Sequence, residues 1–336
     1  MRLQRFQPRF FRFAKLQLPT FFLLAAVFGA ASGCQTANAP DAMTKILSFP
    51  NAADLPPKPL PDPLLSFSGE RITTAGEWNR NRRPELKALF AHYMYGAMPP
   101  APKANFKVER VDKNFFNGKA TEKLVTLSLG ADNAPSIHLL LVIPNHRSQA
   151  APVFVGPSFS GIYSLVDDPL IPLPSGWMSP NASVVNSRAV EAGRGTQKNV
   201  WAIEQSIDRG YAVAVFYYGD VEPDRPDAPD GIRAWYQKQN PGTTYDWGAV
   251  AAWAWGVQRV VDYLVTDRDL DAKKISVVGH SRNGKAAMVA GATDERIALV
   301  IPLQAGCGGT SPSRGKIGES VQRINTSFPH WFNAEF

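Results

Sequence analysis

The sequence predicts an α/β domain built on a mostly parallel sheet with helices on both faces. Three observations predict it. Strand-like runs and helical repeats take turns from Trp201 to Leu303. The runs Tyr211–Tyr218 and Ile275–Val278 are near-continuously apolar, as expected of strands covered on both sides. A Gly-x-Ser follows the second of them, where strand gives way to helix. The 336 residues, 44% hydrophobic and 19% charged, also exclude a disulfide mini-protein and a disordered chain.

Residues 1–34 read as an export signal. Arg2, Arg5, Arg9, Arg12 and Lys15 lead without an acid into Thr20–Phe28, an apolar run too short to span a bilayer stably. Ala31-Ser32-Gly33-Cys34 resembles the bacterial lipobox, in which the Cys is lipidated and becomes the new N-terminus. Plain secretion and a retained signal anchor are the alternatives. Several acyl chains at Cys34 would tether the protein to a membrane, since each buried methylene adds about 0.8 kcal/mol. Gln35 lacks the Asp that would suggest inner-membrane retention, so the resemblance to the lipobox implies the outer membrane or periplasmic side of the envelope. The leader also explains the formal charge of +7: past Cys34, 31 basic residues face 29 acidic ones, which leaves no footprint for nucleic acid. Cys307 is the one other cysteine, so an intramolecular disulfide and a Cys-based metal site are both excluded once Cys34 is acylated.

Residues 35–65 form a Pro-rich linker, with Pro50, Pro56, Pro57, Pro59, Pro61 and Pro63 favouring an extended spacer. The α/β domain is expected over residues 66–336. Its first helix begins near Glu77, with Leu86, Leu89, Phe90 and Tyr93 at helical spacing. Strands follow at Phe106–Val111, Lys123–Leu129, Ile137–Ile143 and Val153–Val155. Next come a helix at Trp201–Asp208, the strand Tyr211–Tyr218 and a helix at Trp247–Val265. The strand Ile275–Val278, a helix at Arg282–Ala290 and the strand Leu299–Leu303 complete the series. Trp253 and Trp255, two apart in a helix, face different directions, and at least one belongs to the core.

The chemistry concentrates at Gly279-His280-Ser281-Arg282-Asn283-Gly284-Lys285. A Ser on a strand-to-helix turn matches the nucleophile elbow of the α/β-hydrolase fold, although Asn283 stands where G-x-S-x-G would have Gly and Gly284 follows. The ordinary alternative is a helix N-cap. Arg282 and Lys285 place two cations near the positive end of a helix dipole, which is unfavourable for the helix alone and suited to an anion or a developing oxyanion. Solvated surface cations are the alternative. Asp167, Asp168, Asp220, Asp224 and Asp227 lie among Gly and Pro and read as turn caps rather than metal ligands.

These residues, with Ala292–Val300, Gly306-Cys307-Gly308-Gly309, Asp167-Asp168-Pro169, Phe216–Asp220, Trp247–Gly256 and Ile324–Phe332, resemble the bacterial branch of the glucuronoyl esterases, carbohydrate esterase family 15. The similarity runs from about Leu86 to the last residue. It implies an α/β-hydrolase that uses no metal or organic cofactor. Its substrates would be esters of 4-O-methyl-glucuronic acid on glucuronoxylan, including links to lignin alcohols. By position the resemblance implies Ser281 as nucleophile and Arg282 as oxyanion donor. Lys285 and Glu319 would meet the sugar acid and Trp331 would wall its ring. Gln304, also on the substrate side, stands where part of the family has its triad acid. Pro152–Gly161 looks like the strand and loop facing the nucleophile, with Ser158 and Ile162-Tyr163 where relatives often carry Asn and Asn-His.

Two departures bear on mechanism. A neutral Gln304 cannot stabilise an imidazolium as a carboxylate does. The triad His is expected on a loop after the last strand, and none of the chain's five histidines, His92, His138, His146, His280 and His330, occupies that position. The expectation is therefore a C-terminally incomplete domain, its last strands missing, with weak activity or none. An acetylxylan-type carboxylesterase and a non-catalytic sugar-acid-binding lipoprotein are the alternatives.

Overall fold

The computed structural model describes residues 61–131, 133–181, 183–242, 246–313 and 319–336. The export signal, Cys34 and nearly all of the predicted linker lie outside the described residues. A compact unit spans Asp62–Phe336, so it begins slightly ahead of the boundary expected at residue 66. The end of the Pro-rich stretch is held by hydrogen bonds: Ile72 N donates to Leu64 O at 2.8 Å, and Arg82 Nε donates to Pro63 O at 2.9 Å.

Thr74 opens the first helical stretch with a capping box, its side chain accepting from Glu77 N while Glu77 reaches back to the cap. Helix α1 (Arg83–Phe90) is flanked by π-turns at Trp78–Arg82 and Ala91–Tyr95. A seven-stranded sheet follows, built from β1 (Asn105–Phe115), β2 (Ala120–Ser128), β3 (Ser136–Pro144), β4 (Ala151–Ser158), β5 (Ala212–Tyr217), β6 (Leu270–His280) and β7 (Ile297–Leu303). Its order is β1-β2-β3-β5-β4-β6-β7. The first three strands enter antiparallel, whereas β5, β4, β6 and β7 run parallel. The parallel half aligns the ends of four strands, with Ser158 opposite Tyr217 and His280 opposite Leu303.

Both faces of this sheet are covered. Ala212, Ala214 and Phe216 of β5 point into one apolar cluster, beneath α4 (Ala249–Leu264) and α5 (Arg282–Thr293). Val213 and Val215 point into the other, beneath α2 (Ile203–Asp208) and the turn Ile162–Ser164. Two-sided burial thus explains the unbroken apolar run in β5. Trp253 and Trp255 of α4 are both core residues, because each indole finds a carbonyl: Trp253 Nε1 donates to Glu222 O at 2.8 Å and Trp255 Nε1 to Pro99 O at 3.1 Å.

One predicted helix is broken. Ala202 takes a left-handed conformation (φ 44°, ψ 48°) and divides the expected Trp201–Asp208 helix into Lys198–Trp201 and α2. The break lets Trp201 lie against Gly156 of β4, while Ile203 and Ile207 pack onto the sheet. Two short helices, α3 (Ile232–Gln239) and α6 (Val321–Ser327), complete the set used below.

Glu122 of β2 is fully buried; its Oε2 lies 3.2 Å from Arg110 Nη1 in an ion pair whose geometry does not make a hydrogen bond. Burial pushes its pKa up to about 7, against the pull of Arg110. A carboxyl whose pKa is raised on folding contributes stability below the unfolded value and loses it as pH rises through the folded one. We therefore expect the stability of the wild-type protein relative to Glu122→Gln to fall between pH 5 and pH 7.5 in urea titrations; a difference independent of pH would contradict this.

Candidate active site

The turn from β6 to α5 places Ser281 at φ 56°, ψ −124°, a backbone region that suits Gly and strains Ser. Three backbone hydrogen bonds hold it there. Ser281 N donates to Leu303 O at 2.9 Å, while Ser281 O accepts from Gly284 N at 2.9 Å and Lys285 N at 3.1 Å. The Ser281 side chain makes no capping hydrogen bond, so the ordinary N-cap reading does not describe this residue. The turn is tight: a Cβ at Gly279 would collide with the Asn283 carbonyl oxygen.

Asn283 explains the departure from G-x-S-x-G. Its side chain is buried, and Nδ2 donates to Pro157 O at 3.1 Å, tying the start of α5 to the end of β4. The glycine is needed one position later, where a Cβ at Gly284 would lie 3.0 Å from Gly279 O and 3.1 Å from Leu303 O.

Arg282 leaves the same turn and is enclosed by rings and a carboxylate. Its guanidinium carbon is 4.8 Å from the Trp331 ring centre, 5.6 Å from Phe328 and 5.8 Å from Phe159. Nη1 is ion-paired with Asp224 Oδ2, and Nε is buried without a partner. The Asp224 side chain is itself buried, its Oδ1 receiving His330 Nε2 at 2.9 Å and Trp331 Nε1 at 2.7 Å. The expected turn cap at 224 is thus corrected: this carboxylate collects donors from α5 and from the segment after α6. Asp168, in contrast, does cap a turn, with Leu170 N at 2.8 Å, and it also pairs with Arg110 at 2.6 Å.

Lys285, one turn along α5, is 2% exposed. Its Nζ donates to Ala305 O at 2.6 Å and lies 3.6 Å from Glu319 Oε2. Burial lowers its pKa, and Glu319 opposes that shift. Gly306 (φ 63°) makes the approach possible, since a Cβ there would stand 3.0 Å from the Glu319 carboxylate and 3.4 Å from Lys285 Nζ. Trp331 is 2% exposed, stacked on Phe328 at 3.8 Å and 5.5 Å from Lys285 Nζ. Ser281, Arg282, Lys285, Glu319 and Trp331 thus belong to one connected cluster. Gln304 stands to its side, exposed and left-handed (φ 47°), with Oε1 2.7 Å from His280 Nε2.

The histidines are engaged elsewhere. Burial, with Arg233 and Arg282 nearby, pushes the His330 pKa down to about 4, so a neutral ring donates Nε2–H to Asp224. His280 is bonded to Gln304, and His138 Nδ1 lies 3.3 Å from Asp220. His92 packs edge-on against Tyr93, and His146 lies in the loop after β3. Beside the elbow, on the His280 flank, a largely apolar cavity of about 420 Å³ is lined by Pro157, Ser158, Phe159, Gly279, His280 and Leu303 among others; Ser281, Arg282 and Lys285 do not line it.

A family model described as "Glucuronyl esterase, fungi" matches residues 179–336. The carbohydrate esterase MZ0003 of an unknown prokaryotic organism is 40% identical over 289 residues, covering 84% of this chain and 67% of that protein. The chain belongs to carbohydrate esterase family 15. A solved member, a promiscuous CE15 esterase from the marine bacterial metagenome, superposes with a TM-score of 0.75 at 40% identity, covering 84% of this chain and 72% of that one. The 4-O-methyl-glucuronoyl methylesterase 1 of Wolfiporia cocos is 29% identical over 289 residues; this chain spans 58% of its length. The α/β-hydrolase fold of the family accounts for the elbow geometry, and its members are carboxylic ester hydrolases.

Sequence reasoning did not assign a site role to Asp224, Phe328 or Asn283. One signal was available for Asp224: it follows the C-terminal end of a parallel strand, where ligand sites of open α/β sheets form. The strain at Ser281 yields a prediction. Ser281→Gly relieves an unfavourable backbone conformation and should raise the free energy of unfolding by about 1 kcal/mol; a loss of stability in urea denaturation would contradict this account of the turn.

Proposed function

We propose that this domain is a serine carboxylic ester hydrolase acting on esters of 4-O-methyl-glucuronic acid, as found on glucuronoxylan and in its links to lignin alcohols. The observation that carries the proposal is the strained Ser281, its hydroxyl uncommitted to a helix cap, at the head of a helix whose first turn bears Arg282 and Lys285. The names of the fungal relatives support the choice of sugar acid.

In this reading Ser281 Oγ attacks the ester carbonyl carbon and a C–O bond to the alcohol breaks. The alcohol leaves with a proton, and water later releases the acid from Ser281. Charge develops on the carbonyl oxygen, and Arg282 with backbone N–H groups at the start of α5 would stabilise it. Lys285 and Glu319 would hold the sugar hydroxyls. None of the five histidines is bonded so as to take the Ser281 proton, so we infer slow turnover by the 336-residue chain, limited by proton removal. The leader ending at Cys34 supports an enzyme tethered to the cell envelope by lipid, outside the cytoplasm.

A second reading, a sugar-acid-binding protein without turnover, is favoured by the neutral Gln304 and by the histidines' other engagements. One experiment separates the two. With a benzyl glucuronoyl ester we expect slow hydrolysis that rises with added imidazole and vanishes in Ser281→Ala, while an acetyl ester responds far less. Glucuronate affinity, measured by calorimetry, should fall about tenfold in Lys285→Ala, the order expected for losing one charged hydrogen bond. Binding without hydrolysis at any imidazole concentration would favour the second reading. Rapid turnover without imidazole would overturn the inference of a missing base.

A further inference from the structure

Asp224 lies outside the site that the sequence suggests, on the segment leaving β5, yet its carboxylate is 3% exposed and is the meeting point of several donors. Oδ1 accepts from His330 Nε2 at 2.9 Å and from Trp331 Nε1 at 2.7 Å. Oδ2 pairs with Arg282 Nη1, with the Tyr218 hydroxyl a longer 3.4 Å away. The carboxylate cannot rotate without breaking these bonds, and Arg282 cannot move without leaving it.

An arginine side chain is flexible and loses rotamer freedom when it is fixed, and an oxyanion donor is effective only when it is in place before charge develops. Asp224 on one edge of the guanidinium and the Trp331 ring 4.8 Å from it restrict Arg282, while its buried Nε keeps an unused hydrogen. Asp224 also neutralises a cation that would otherwise stand beside Lys285 and the positive end of α5. The geometry points to Asp224 as a positioning residue that presets Arg282 for the oxyanion, with His330 and Trp331 bracing the carboxylate. This inference rests on the esterase reading of Ser281 and Arg282.

Two measurements on the full chain test it. In ¹⁵N–¹H spectra, the Arg282 Nε–H line, assigned by its absence in Arg282→Gln, should be narrow and protected in the wild-type protein and broadened in Asp224→Asn. A narrow line in Asp224→Asn would overturn the inference. The second measurement uses a 4-nitrophenyl phosphonate in imidazole buffer, where an Oγ–P bond forms at Ser281 as one equivalent of 4-nitrophenolate leaves. Asp224→Asn should slow this release roughly a hundredfold, as misplacement of a catalytic group does. In an Arg282→Gln background the same change should alter it by no more than about twofold. Equal slowing in both backgrounds would mean that Asp224 does not act through Arg282. Should Asp224→Asn fail to fold, Trp331→Phe removes one donor to the carboxylate and keeps the ring. It should slow release several-fold, again only when Arg282 is present, and equal slowing in both backgrounds would again overturn the inference. If the wild-type chain releases no nitrophenolate, the esterase reading falls and the Arg282 line still decides the role of Asp224.

Discussion

The turn between β6 and α5 has no room for a side chain at Gly279 and little at Gly284, and the rest of the site depends on that constraint. The backbone of Ser281 is driven to positive φ because the glycines on either side bring strand and helix into contact. Such a conformation costs of the order of 1–3 kcal/mol and persists only where its surroundings over-determine it. Here the surroundings are the bond from Ser281 N to Leu303 O, the Asn283 amide on Pro157 and the buried α4–α5 layer. The parallel half of the sheet therefore does more than enclose a core. It aligns four strand ends so that β4 and β7 brace the turn of β6 from both sides.

Charge is arranged around that turn in a way that would be costly without partners. Two cations at the head of a helix oppose its dipole, and Lys285 is buried as well. Each has an answering group: Asp224 for Arg282, and the Ala305 carbonyl with the Glu319 carboxylate for Lys285. The rings of Trp331 and Phe328 flank the Arg282 guanidinium and contribute cation–π attraction. A site in which positive charge is paired while the Arg282 side chain stays 24% exposed retains capacity for a developing anion.

Much of this was legible in the sequence. The unbroken apolar run at Tyr211–Tyr218 announced a strand buried on both faces, and Gly279-His280-Ser281 after another such run announced the elbow. Three features were not legible, each for a physical reason. The break at Ala202 depends on how Trp201 and Ile203 seat on different parts of the sheet, a tertiary demand that overrides the helical propensity of Ala. Asn283 looked like a defect in the motif because its amide answers Pro157, a partner distant in sequence. Asp224 looked like a turn residue because its Pro-rich neighbourhood is what a turn contains, whereas Arg282, His330 and Trp331 reach it only through the fold.

The central claim is that the Ser281 hydroxyl and the Arg282 guanidinium, adjacent on one turn, act on the same ester group. A crystal structure of the chain after reaction with a phosphonate ester tests it most directly. The account predicts phosphorus bonded to Ser281 Oγ, with a phosphonyl oxygen about 3 Å from the Arg282 guanidinium or an N–H at the head of α5. An unmodified Ser281, or an adduct whose oxygens face solvent with Arg282 turned away, would contradict it.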